Sequence, residues 1–179
     1  KLDPKTSMVW TIFTAMIALP IGLYFFRMGS LAIIAVQGPN ARARVWDILP
    51  QAKAAIADLK PFCERISLFV DQDVADLALA RELGADRIEI YTGPYAQHHE
   101  SGDFDNDLSK CKATAFAARE LGLGVNAGHD LNQNNLLPFL AALPMLREVS
   151  IGHALFNDAL YDGLFATVQN YLRVISAPH

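Results

Sequence analysis

ELGADRIEIYTG, residues 82 to 93, decides the fold, because it packs one helix end and one strand into a dozen positions. Glu82 and Leu83 close a segment of good helix formers, and Gly84 supplies the stop that a helix end favours. RIEIY (Arg87 to Tyr91) then alternates around Ile88 and Ile90 with the period of a strand. Upstream, Asp73 is placed to cap VADLALARELG, whose Val74, Leu77, Ala78, Ala80 and Leu83 form one apolar face.

The same alternation of strand and helix continues on both sides. ISLFVD (Ile66 to Asp71) is a short apolar run with a polar end, and before it QAKAAIADLK reads as a helix opened by Pro50 and stopped by Pro61. Downstream come a loop rich in Gly, Pro and His, a helix from about Asp105 to Leu121, and the strand LGVNA (Leu123 to Ala127). A helix from Asn134 to Leu143, the strand REVSI (Arg147 to Ile151) and a last helix from about Phe156 to Ile175 complete the chain. Strands beginning near 66, 87, 123 and 147, each with a helix after it, make consecutive parallel crossovers. The class is therefore α/β, with a doubly wound sheet and a (β/α)8 barrel both open at this point. In either, ligands gather beyond the carboxyl ends of the strands.

Composition narrows the function classes. With 179 residues, 19.6 kDa and 52% hydrophobic content, the chain supports an ordinary core, which excludes intrinsic disorder and collagen-like fibre. The net charge of −4 is divided: residues 1 to 60 hold seven Lys/Arg against three Asp/Glu, and the rest holds eight against sixteen. An acidic larger part argues against a nucleic-acid partner. Cys63 and Cys111 lack the close Cys/His spacing of a zinc site, so no metal is expected, and both read as reduced thiols of a cytoplasmic protein.

The first forty residues have another character. Met8 to Phe26 is nineteen residues without a charge, long enough at about 1.5 Å per residue for a transmembrane helix, with a buried helix as the alternative. FTAMIALPIGLYFF (Phe13 to Phe26) resembles the first membrane helix of the small assembly proteins of the vacuolar proton ATPase. Gln37 to Asn40 reads as a linker. The expected organisation is a hydrophobic N-terminal segment over residues 1–40, a candidate membrane tether, followed by a domain over residues 41–179.

Four strand ends carry the candidate chemistry. At the first, Asp73 reads mainly as a helix cap. At the second, alternation sends Glu89 to the face opposite Ile88 and Ile90; in a barrel that is either the interior, where a carboxylate must be paired or used, or the helix-facing side. The third, Asn126-Ala127-Gly128-His129-Asp130, places an imidazole past a buried strand. The fourth, Gly152-His153-Ala154, opens the last helix, whose free N–H groups suit a phosphate. Taken singly, each Gly-His pair also fits an ordinary loop. His98 and His99, with Glu100, Asp103 and Asp105, read as a solvated loop rather than a metal site.

ISLFVD, ELGADRIEIYTGPYA (Glu82 to Ala96), LGLGVNAGHDLNQNN (Leu121 to Asn135) and REVSIGHAL (Arg147 to Leu155) together resemble pyridoxine 5′-phosphate synthase, a family of barrel enzymes of vitamin B6 biosynthesis. The resemblance covers roughly Ile56 to Ile175 and implies strands five to eight of a (β/α)8 barrel, thus a partial barrel preceded by a hydrophobic helix. It implies condensation of 1-amino-propan-2-one 3-phosphate with 1-deoxy-D-xylulose 5-phosphate, with no cofactor and no metal. His129 would be the proton donor and Glu89 would stabilise the transition state. Gly152 and His153 would bind the aminoketone phosphate, with Asp130 beside them through its backbone N–H, although the family often has glycine there.

The family's first half, with its Asn-x-Asp-His motif, a following arginine and a further His and Glu, has no counterpart in this chain. The chain also opens on Lys1 rather than Met, so a fragment is expected. A half barrel is expected to expose two strand edges and an apolar inner face, to call for a homo-oligomer or a barrel-completing partner, and to show little synthase activity alone. The alternative is a membrane-anchored or chimeric non-enzyme in which the half barrel is a relic.

Overall fold

The computed structural model describes residues 23–28, 31–36, 41–72 and 77–177, with side chains described from residue 49 onward. Six strands form one sheet in sequence order: β1 Leu23–Met28, β2 Leu31–Val36, β3 Arg65–Val70, β4 Arg87–Tyr91, β5 Gly124–Gly128 and β6 Leu146–Ser150. β1 and β2 pair antiparallel, and every later pair is parallel. The helices are α1 Ala41–Leu59, α2 Leu77–Glu82, α3 Gly93–Ser101, α4 Asp105–Glu120, α5 Leu136–Ala142, α6 His153–Asp162 and α7 Leu164–Ser176. The α/β class and the four successive parallel βα units, β3 to β6, stand as expected.

Alternation divides the residues of β3 to β6 between two faces. Ile88, Ile90, Val125 and Ala127 point to the helices and join Tyr95, Cys111, Ala115, Phe139 and Leu140 in the core. The opposite face carries Ser67, Arg87, Glu89, Asn126 and Glu148, with Phe69 beside Glu89. An apolar inner face is the expectation overturned here: the row is polar, and its groups bond across the strands. Arg65 Nη2 meets Glu148 Oε1 at 2.6 Å, and Arg87 bonds the other Glu148 oxygen and donates to Asn126 Oδ1 at 3.0 Å. On a flat sheet β3 and β6 would stand about 14 Å apart, so the Arg65–Glu148 contact fits a polar face that is concave. The curvature is that of a partial barrel.

Six further expectations need correction or limits. The helix expected over Met8–Phe26 ends in strand at Leu23–Phe26, while residues 8–22 lie outside the described residues. An apolar run of this kind reads equally as strand, and LAIIAV next to it, with Ile33, Ile34 and Val36, supplies a pairing partner. No helix among the described residues is long and apolar enough to cross a membrane. Pro50 does not open its helix but lies inside α1. The segment with His98 and His99 is not a loop: α3 starts at Gly93 with Pro94 in its first turn and ends at Gly102 (φ 81). The single last helix is two, broken at Gly163. The Asp73 cap and the Gln37–Asn40 linker fall outside the described residues.

Candidate active site

Glu89 sits on the concave face near the end of β4 and is 1% exposed. His129 follows the last residue of β5, and its Nδ1 lies 3.2 Å from Glu89 Oε1. Oε1 nevertheless accepts no hydrogen bond, so the approach is a charge contact off the N–H direction. Glu89 holds the His129 imidazole above its ordinary pKa; burial works against this, and the charge of Asp130 reinforces it. The ring also stands edge-on to Phe69, with centroids 5.4 Å apart. Its far side faces solvent, the side chain being 53% exposed. A buried carboxylate behind a half-open imidazole can hold a proton on a ring whose far side is open to solvent.

The backbone at this point is unusual. His129 has φ 80, in the left-handed region, and its N–H donates to the Ser150 carbonyl at 2.8 Å. Gly128 before it lies so close to β6 that a Cβ would sit 2.4 Å from the Ser150 oxygen. The glycine is therefore a requirement of close strand approach.

Asp130 lies next in the chain. Burial pushes its carboxyl above the usual range, and the charges of His129 and His153 pull it back. His153 thus lies close enough for its charge to act on Asp130, and Gly152, buried, stands at the N-terminus of α6. Glu89 and His129 are thus in contact, while Asp130 follows the carboxyl end of β5 and Gly152 and His153 follow that of the neighbouring β6.

Two features were missed by reading the sequence. Arg87 has the parity of Glu89 and could have been assigned to the same face; its partners Glu148 and Asn126 could not, being remote in sequence. The second is a cluster around buried Asp107, which pairs with His98 Nδ1 at 2.6 Å and accepts from Gln72 Nε2 at 2.9 Å. Burial pushes the Asp107 carboxyl up, but the bonds from His98 and Gln72 and the nearby Lys110 bring it below its usual value. Among the described residues no group of three or more His, Cys, Asp or Glu is placed to hold a metal ion.

Residues 44–177 match the family model described as Pyridoxal phosphate biosynthesis protein PdxJ. The chain belongs to that family. The pyridoxine 5′-phosphate synthase of Xylella fastidiosa (strain M12) is 51% identical over 128 residues, 72% of this chain and 49% of its own length. That of Xanthomonas axonopodis pv. citri (strain 306) is 51% identical over 129 residues, 72% of this chain and 51% of its own. A third, from Xanthomonas oryzae pv. oryzae (strain MAFF 311018), is 52% identical over 125 residues, 70% of this chain and 49% of its own. The chain spans about half the length of the curated relatives it matches. Glu89, His129, Asp130, Gly152 and His153 all lie inside the stretch matched by the PdxJ model.

Proposed function

We propose that residues 41–179 form the C-terminal half of a pyridoxine 5′-phosphate synthase. In the reaction 1-amino-propan-2-one 3-phosphate condenses with 1-deoxy-D-xylulose 5-phosphate, losing one inorganic phosphate and two molecules of water to give pyridoxine 5′-phosphate. His129 is the proton donor, and Glu89 favours the protonated form of its imidazole and stabilises the charge that develops on the reacting atoms. The N–H groups at Gly152 and His153, at the positive end of α6, take the aminoketone phosphate, with the backbone N–H of Asp130 beside it. The observation that carries this reading is the contact of His129 with buried Glu89 beside the opening of α6.

The same reading supplies the partner and the compartment. Phosphorylated small molecules are the ligands, and further βα units, from a partner or another copy, complete the barrel. The cytoplasm, where the unpaired thiols of Cys63 and Cys111 stay reduced, is its location.

Titration of the chain with 1-amino-propan-2-one 3-phosphate tests the proposal. Saturable binding is expected, displaced by inorganic phosphate and weakened about tenfold or more in His153→Pro, which removes one of the two N–H groups at the first position of α6, where proline is tolerated. Product from both substrates is expected only when a polypeptide carrying the family's first four βα units is added. A chain that does not bind the aminoketone phosphate overturns the reading.

A further inference from the structure

Thr92 stands at the N-cap of α3, yet its hydroxyl makes no cap hydrogen bond. A threonine there ordinarily turns its oxygen to the free N–H groups of the first turn. Here the side chain is fully buried, and its hydroxyl donates to the Gly128 carbonyl at 2.5 Å, thirty-six positions away. The other polar group of the same peptide unit, the His129 N–H, is held by the Ser150 carbonyl. One peptide plane is therefore pinned at both ends, by the residue after β4 and by the last residue of β6.

It is also the plane that most needs pinning. His129 is the non-glycine with positive φ among the described residues, and such a conformation persists only where its surroundings over-determine it. Rotating the Gly128–His129 plane would carry the imidazole away from Glu89. β4 and its continuation thus meet residue 129 twice, with Glu89 at the ring and Thr92 at the backbone.

We propose that Thr92 is a positioning residue of this site, its hydroxyl holding the Gly128 carbonyl so that the left-handed backbone of His129 aims the imidazole at Glu89. The proposal rests on the reading of His129 as proton donor and deepens it. It assigns to Thr92 no contact with substrate.

Nuclear magnetic resonance of the chain and of Thr92→Val and Thr92→Ser tests it. Two quantities are read at His129: the imidazole titration midpoint and the backbone coupling that reports φ. The charged groups facing this imidazole are Glu89 and Asp130, with His153 acting on Asp130, and none is altered by either substitution. Val keeps the size of the side chain and removes the donor. The midpoint is expected to move down toward the ordinary imidazole value, and the coupling to leave its left-handed range. Ser keeps the donor and is expected to preserve both. Unchanged values in Thr92→Val, or equal damage in Thr92→Ser, overturn the proposal.

Should Thr92→Val not fold, the unaltered chain gives the second measurement. A slowly exchanging Thr92 hydroxyl proton close to Gly128 is expected, and a Thr92 rotamer turned away from Gly128 overturns the assignment. Binding of the aminoketone phosphate is measured separately. Its absence in the unaltered chain would remove the proton-donor role while leaving the Thr92 effect on His129 to stand or fall alone.

Discussion

At the scale of single residues, the pairing of His129 with Glu89 ties stability to pH. A histidine whose folded pKa is raised binds its proton more tightly in the native state than in the unfolded one. Its stabilising contribution is full below the ordinary imidazole pKa of 6.5 and is lost as pH rises through the raised native value. Denaturant unfolding across neutral pH should show stability falling over that window. Glu89→Gln should flatten the fall, because the first cause of the shift is gone. An equal slope in the variant would remove Glu89 as the cause. Gly128 gives a second prediction at this scale. A Cβ there meets the oxygen, nitrogen and Cβ of Ser150 at 2.4 to 2.7 Å, and two of those atoms are backbone that cannot swing away. Gly128→Ala should therefore cost about 2–3 kcal/mol, read from the denaturation midpoint.

Elements hold together here through bonds that span them. The Glu148 carboxylate on β6 takes both Arg65 from β3 and Arg87 from β4, so it closes the concave face across four strands. Removing it leaves two guanidiniums facing each other; burial already lowers the Arg87 pKa, and Arg65 lowers it further. Glu148→Gln is expected to cost about 1–2 kcal/mol, a partly exposed case of breaking a paired charge. Adding Arg87→Met should recover part of the loss, and full additivity in that double-mutant cycle would show that the network is not coupled. The break at Gly163 is a separate element-level feature. With φ 81 and ψ 145 it lies where only glycine is at ease, and Gly163→Ala should lose about 1–3 kcal/mol.

The same elements show what a sequence discloses. RIEIY, LGVNA and REVSI are legible because glycines and polar turns frame short apolar runs, and helix and strand periods differ between them. The parity of Glu89 about Ile88 and Ile90 placed it on one face, and the position of His129 just after β5 placed it at the mouth. LYFFRM and LAIIAV were not legible, since an apolar run too short to show its period reads as membrane helix or strand alike. The helix carrying His98 was hidden by its Gly-Pro start and polar content, which resemble a loop. Thr92 stood out in no local pattern, because local sequence predicts local bonds. Its real partner is thirty-six positions on, and only the sheet register brings Tyr91 opposite Gly128.

For the whole molecule the decisive surface is the outer side of α6 and α7. Tyr161 is 90% exposed, Phe165 80%, Leu160 68% and Leu164 58%, all within six positions of one another. A large apolar patch of this kind on a water-facing surface favours association. The sheet adds to it, since β1 and β6 each have a single strand neighbour among the described residues and therefore a free edge. Sedimentation of the purified chain should show association that grows with concentration. Phe165→Ser combined with Leu160→Gln should weaken it about thirtyfold or more, the change expected when roughly 2 kcal/mol of buried apolar contact is lost. The thermal midpoint should hardly move, because neither side chain belongs to the core around Ile88, Val125 and Phe139. A chain that stays monomeric at every concentration would show that this face is tolerated in water. A variant that dissociates but also melts early would show instead that α6 and α7 are stabilised by these residues from within.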